Sequence, residues 1–268
     1  MGLQQAGETP LTVKAFLAAS TALVTLAGTA HAADVAALIG NDTIAIVDTS
    51  AKKATKSMKV AGVEGPLVGI DVRPADGLLY ALAADGTLYT IAMDGKATKK
   101  SKLETMLPAG ASATVDFNPV ADRLRVIGSD GTSLRVNVDD GKVVKDSSLK
   151  YADGDANKGK APKVMAGAYT NSVKGTKETT LLNIDTTTGA LVKQAPPNDG
   201  ILNTVGTLGP KVDVVAFDIW SDGTKNEGWA MTGDQLWSID LATGKASPVA
   251  KVEGLGGAVR DIAILPKM

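Results

Sequence analysis

The chain contains no cysteine and a single histidine, His31. Without thiols there can be no disulfides and no thiolate catalysis or ligation. His31 sits in a segment expected to be removed on export, so the mature chain would hold no imidazole. That excludes Ser-His-Asp and Cys-His catalysis, histidine-ligated haem and the usual zinc sites. Any chemistry would rest on carboxylates, Lys, Tyr or Arg. Aromatic residues make up only 4% of the chain, which argues against a surface studded with sugar-stacking rings. Net charge is also nearly absent, with 28 basic against 29 acidic residues. The chain therefore has no general electrostatic reason to bind nucleic acid or anionic lipid.

The N-terminus reads as a leader. Lys14 precedes an apolar run from Ala15 to Ala27, and Ala30-His31-Ala32 fits a small-x-small cleavage site. The run is too short to span a bilayer comfortably. Residues 1–32 are expected to be removed, with Met1–Leu11 lying upstream of a normal signal and Ala33 opening the mature chain. The expected location is the periplasm, the medium or the cell surface, with no transmembrane segment in the mature chain.

What the chain does have is a repeat. Residues 67–103 read as four short strands with three turns, at Arg73-Pro74 through Asp76-Gly77, at Asp85-Gly86 and at Asp94-Gly95. Asp-Gly supplies the positive φ of a tight hairpin, and β-branched and apolar residues fill the runs between. TVDFNP at 114–119 repeats GIDVRP at 69–74, and DRLRVIGSDGTSLRVNVDDGKVVKDSSL completes a second unit to Leu149. Further units begin at Val164 and run from Val212 to Val252. Val35–Val60 matches strands two to four of a unit, and VRDIAIL at 259–265 supplies the missing first strand. The equivalent positions 71, 116, 168, 218 and 261 are 45, 52, 50 and 43 residues apart. Four-stranded repeats of this period are the propeller signature. The expected fold is all-β: one domain over residues 33–268, a five-bladed β-propeller of four-stranded antiparallel blades. The C-terminal strand joins the N-terminal sheet and closes the ring, which avoids an unpaired edge.

The motifs GIDVRP, LYAL, GTLYTI, TVDFNP-x-x-DRLRV, SLRVN, YADGDANKGKAPKV, AYTNS and PPNDG, taken in order, resemble the bacterial family called domain of unknown function 4394. The resemblance covers nearly all of Val35–Leu265. It implies an exported, propeller-like protein and carries over no catalytic residue, since the family has no established activity.

Four constellations stand out. Asp71, Asp116, Asp218 and Asp261 all fall on innermost strands, where they would line the central channel; Ala168 replaces the fifth. They suit either a cation or acid/base site, or a structural role in which each carboxylate holds backbone N–H groups of the next blade. Equivalence across repeats favours the structural role. Asp153, Asp155 and Asn157 alternate like a calcium loop, but Gly159 falls one place late, Lys158 holds the turn position and Val164 stands where a bidentate Glu belongs. The segment from Tyr151 to Lys163 is the longest polar connection and is expected to project from a rim. Trp220, Trp229 and Trp237 share one repeat and could contact a ligand or partner, or fill the outer part of a blade. Lysines crowd the outermost strands at 52, 53, 56, 59, 96, 99, 100 and 102, where they guard an exposed edge. Arg125 and Arg135 are expected to face each other on adjacent strands and to need carboxylate partners. Taken together, the residues point to an exported, non-enzymatic binding or scaffold protein of unknown protein or small-molecule ligand, with no cofactor unless calcium. The alternatives are a carboxylate-based hydrolase and a calcium-dependent adhesion protein.

Overall fold

The computed structural model describes residues 1–2, 33–209 and 216–266. The expected leader beyond its first two residues lies outside them, as do residues 212–215 at the start of the last internal repeat. The first blade contains β1 (Asp34–Ile39), β2 (Thr43–Asp48) and β3 (Lys53–Lys59). The second is β4 (Leu67–Val72), β5 (Leu79–Ala83), β6 (Thr87–Ile91) and β7 (Ala97–Lys102). The third is β8 (Ala113–Asn118), β9 (Arg123–Gly128), β10 (Ser133–Val136) and β11 (Val143–Lys145). After β12 (Lys150–Tyr151), the fourth is β13 (Val164–Tyr169), β14 (Leu181–Asp185), β15 (Ala190–Gln194) and β16 (Ile201–Thr207). The fifth is β17 (Ala216–Ser221), β18 (Asn226–Thr232), β19 (Gln235–Ile239) and β20 (Ala246–Lys251), and β21 (Val259–Ile264) ends the series.

These strands form five antiparallel sheets, one per blade, arranged as a five-bladed β-propeller. The ring closes as the repeats require: β21 pairs with β1, setting Leu38 opposite Asp261 and Ala36 opposite Ala263, and becomes the innermost strand of the first blade. The Asp-Gly turns behave as their chemistry demands, with Gly77, Gly86, Gly95, Gly131 and Gly141 all at positive φ. Gly141 has a second constraint, because a Cβ there would sit 1.9 Å from the Lys102 carbonyl oxygen of the preceding blade.

Strand alternation sends successive side chains to opposite faces of each blade, and every face meets a neighbouring blade. The core is accordingly split into five seams. Leu38, Ile44 and Met58 of the first blade pack on Ile70, Leu79 and Tyr89 of the second. Tyr80 and Leu82 of the second meet Val115, Phe117 and Val126 of the third, with the Tyr80 and Phe117 rings edge to face at 5.2 Å. Ile127 of the third meets Tyr169, Leu181 and Val192 of the fourth. Leu182 and Ile184 meet Phe217 and Ile219, and Trp229 and Met231 meet Val35, Val47 and Ile262.

The fourth blade departs from the repeat. Lys150–Tyr151 adds a short fifth strand, parallel to β16, on its outer edge. Tyr151 is buried and its hydroxyl bonds Asp185 and Thr188. The segment from Tyr151 to Lys163 is therefore anchored along the outer strand at its start, where the sequence suggested a loop projecting from a rim. Among the described residues no helix is long and apolar enough to cross a membrane.

Candidate functional site

The innermost strands β4, β8, β17 and β21 each carry one aspartate, and each carboxylate reaches across to the next blade. The Ile70 N–H donates to Asp261 at 2.9 Å and the Phe117 N–H to Asp71 at 2.6 Å. The Tyr169 N–H donates to Asp116 at 3.0 Å, and the Ile264 N–H to Asp218 at 2.6 Å. Asp71, Asp218 and Asp261 also accept from the N–H of the residue that follows each of them. Four of the five seams are bridged this way. The fifth, between the fourth and fifth blades, has Ala168 in the carboxylate's place. There Asn171 and Asn226 pair instead: the Asn171 N–H donates to the Asn226 side chain at 2.7 Å, and the Asn226 amide donates back at 2.8 Å.

Three of the carboxylates converge. Asp71, Asp116 and Asp218 are all buried and each places an oxygen within 4.8 Å of the others. Burial pushes all four channel aspartates above the ordinary carboxylate range. The charge of Asp218 raises Asp71 further, and those of Asp71 and Asp218 raise Asp116. Asp218 is pushed up to about 6 by burial, against the pull of the Ile264 and Ile219 N–H groups. At this spacing the trio can share protons or hold a cation. Asp71 and Asp218 also floor a cleft of about 380 Å³ at one mouth of the channel, walled by Trp220, Val173 and Leu265, with Ser172 and Lys174 on its lining.

The comparisons bear on this geometry. The sequence matches the family described as "Domain of unknown function (DUF4394)" over residues 43–263. The chain belongs to the DUF4394 family. No curated protein matches it. Among solved structures, a protein of unknown function from Bacteroides thetaiotaomicron is 17% identical with a TM-score of 0.52, over 88% of this chain and 65% of that one. An auxiliary nutrient binding protein from the same organism is 11% identical with a TM-score of 0.47, over 70% and 50%. A computationally designed protein, Ika8, is 15% identical with a TM-score of 0.39, over 83% and 60%. The chain spans less than two thirds of each of these proteins, and at such identities a likeness speaks for the fold alone.

In this DUF4394 chain the remaining candidates do not gather at one place. Trp220 and Trp229 both pack toward the first blade, Trp220 also walling the channel mouth, and Trp237 packs toward the fourth, so the three form no common platform. The Asp153–Asn157 turn is tied down. Asp155 accepts from the Thr204 N–H at 2.6 Å, the Thr204 hydroxyl at 2.8 Å and the Asn157 N–H at 2.8 Å. Asp153 pairs with Lys158, and the Asn157 side-chain oxygen accepts from Lys160. Asp155 thus holds the connection to β16, while the Asp153 and Asn157 oxygens meet lysines of the same turn.

Arg125 and Arg135 do face each other across β9 and β10. The carboxylate they need is Asp146, beyond β11: Arg125 donates to it at 2.5 Å and Arg135 at 2.7 and 2.9 Å. Arg125, 2% exposed, also donates to Ser133, Tyr169 and Asn198, which ties the third blade to the fourth. Asp146 carries no local motif, and only the unpaired arginines hinted that such a residue must exist. Arg135→Ala is expected to destabilise the fold by about 1.5 kcal/mol, the worth of a charge-assisted pair, because Asp146 keeps Arg125. Urea denaturation of the variant checks this.

Proposed function

We propose that this is an exported, non-catalytic binding protein whose ligand enters the cleft at the channel mouth over Asp71 and Asp218. One observation carries the reading. Both carboxylates at the cleft floor are only 5–6% exposed, and every one of their oxygens already accepts a backbone N–H. Groups so engaged shape and charge a pocket but are poorly placed to pass protons to a substrate. A rigid ring with a cleft at its mouth is a common way for this fold type to bind, and function sits in the site rather than the fold. Export rests on the leader pattern at residues 14–32.

The test uses the mature protein recovered from its own periplasm or medium, with bound small molecules and partners identified by mass spectrometry. A Ser172→Trp variant fills the mouth. A ligand carried by the wild type and missing from the variant supports the reading; equal recovery by both sinks it. Turnover of chromogenic glycosides or esters by the wild type, lost in Asp71→Asn, would replace it with the hydrolase reading.

A further inference from the structure

Two neighbouring outer strands carry a concentration of positive charge that the other outer strands lack. Lys52, Lys53, Lys56 and Lys59 lie on or just before β3, the outer strand of the first blade. Lys96, Lys99, Lys100 and Lys102 lie on or just before β7, the outer strand of the second. All of them are exposed. Residues 49–63 and 95–103 contain no Asp or Glu. The net charge of −1 conceals this patch, since without these lysines the chain would hold 20 basic against 29 acidic residues.

The two strands form one surface. Ala61, just past β3, donates its N–H to the Gly95 carbonyl at 2.9 Å and accepts from the Ala97 N–H at 2.8 Å. The Lys56 ammonium reaches across to the Met93 carbonyl at 2.5 Å. Asp42 pairs with Lys59, Asp139 with Lys100 and Asp85 with Lys102. Lys52, Lys53, Lys56, Lys96 and Lys99 form no ion pair among the described residues. Guarding an edge does not require so many. The outer strands β11 and β20 carry one lysine each, and β16 carries none. β3 and β7 are also bulged, at Thr55 and at Lys100, and a bulge protects an edge by itself. A surplus of like charge held in one place repels itself and favours a partner of opposite sign.

We propose that this face binds an anionic polysaccharide, a chain of sugars bearing carboxylates or sulfates, laid across the outer edges of the first and second blades. The composition of the patch selects that occupant over other polyanions. No aromatic residue lies in 52–59 or 96–102, so there is no platform for nucleic-acid bases and no ring to seat at a lipid interface. No arginine lies there either, so the planar fork suited to phosphate is missing. The two bulges disfavour an acidic peptide added as a further strand. Ser57 and Thr98, both exposed, stand among the lysines and can donate to or accept from sugar hydroxyls. Lysine ammonium groups on flexible stems adapt to charges at variable spacing along such a chain. This surface lies on the outer circumference, away from the cleft over Asp71 and Asp218, so each reading can fail alone.

The full mature chain is titrated with polygalacturonate, heparin, neutral dextran, a single-stranded DNA oligonucleotide and phosphatidylglycerol vesicles. Polygalacturonate or heparin is expected to bind saturably, and to weaken about tenfold or more between about 50 and about 200 mM salt. Dextran should not bind. Combining Lys53→Ser, Lys56→Ser, Lys96→Ser and Lys99→Ser should weaken the charged polysaccharide by about tenfold or more. Combining Lys142→Ser, Lys145→Ser, Lys150→Ser and Lys160→Ser removes the same charge from exposed sites elsewhere and should leave binding nearly unchanged. If the first combination loses its fold by circular dichroism, the pair Lys53→Ser with Lys99→Ser carries the test. No saturable binding by either charged polysaccharide, an equal effect of the two combinations, or tighter binding to the oligonucleotide or the vesicles overturns the proposal.

Discussion

Raising the pH from about 4 to about 8 is expected to weaken this fold, against the habit of proteins whose carboxylates sit in salt bridges. Asp71, Asp116, Asp218 and Asp261 all have folded-state values raised above the ordinary aspartate range, with burial the largest cause in each. A carboxyl whose folded pKa is raised binds its proton more tightly when folded. Its contribution is fully present below the unfolded value of 3.8 and is lost as pH climbs through the folded value. For Asp218 that window runs from about 4 to about 6, and a folded-state pKa about two units above the unfolded value corresponds to roughly 3 kcal/mol. Asp71 and Asp116 share its cluster and extend the loss in the same direction. The exposed aspartates with lowered values act elsewhere: Asp85 and Asp222, near 2, affect stability only in stronger acid. Denaturant midpoints measured across this range check the expectation. A midpoint that stays level or rises with pH would show that the channel carboxylates are ionised at little cost. Asp116→Asn, which leaves an amide oxygen for the Tyr169 N–H and removes one charge from the trio, should flatten the decline.

The architecture was legible because the repeat is carried by local chemistry. Asp-Gly turns and alternating strands recur with the channel aspartate as a fixed mark, and a first strand absent at Val35 and present at Val259 allows only one closure. The pairing of Arg125 with Arg135 was also readable, since residues flanking a short turn meet in fixed register. What was hidden depends on contacts with no periodic signature. Asp146 lies past the last strand of its blade, yet it neutralises two arginines. The acidic turn at Asp153–Asn157 looked like half a calcium loop, because sequence shows which oxygens are near in the chain and not which donors reach them from β16. The three tryptophans share a blade, but strand alternation sends Trp220 and Trp229 toward the first blade and Trp237 toward the fourth. Convergence of Asp71, Asp116 and Asp218 follows from their place in the repeat; the asymmetry that leaves Asp261 outside the trio does not.

Deleting residues 259–268 is expected to abolish cooperative folding. β21 is the innermost strand of the first blade, and its loss strips the ladder from one side of β1, whose residues Val35–Ile39 are all buried. Val259, Ile262 and Ala263 would leave the cores on both faces of that blade. At roughly 1.5–3 kcal/mol for a fully buried Val or Ile side chain, the apolar loss alone approaches about 5 kcal/mol, the lower end of a domain's whole stability. Two bridges vanish as well. Ile70 loses Asp261, its acceptor across the seam to the second blade, and Asp218 loses the Ile264 N–H while its own buried charge remains. The ring would then stand open with a bare strand edge, which is a template for pairing with other chains. Size-exclusion chromatography with light scattering and a thermal melt report the outcome: aggregation, or a broad transition in place of a cooperative one. Adding a peptide of residues 259–266 should restore part of the transition, because no covalent bond joins that strand to β1. A truncated chain that remained monomeric with an unchanged melting temperature would mean that β21 is not needed to close the propeller.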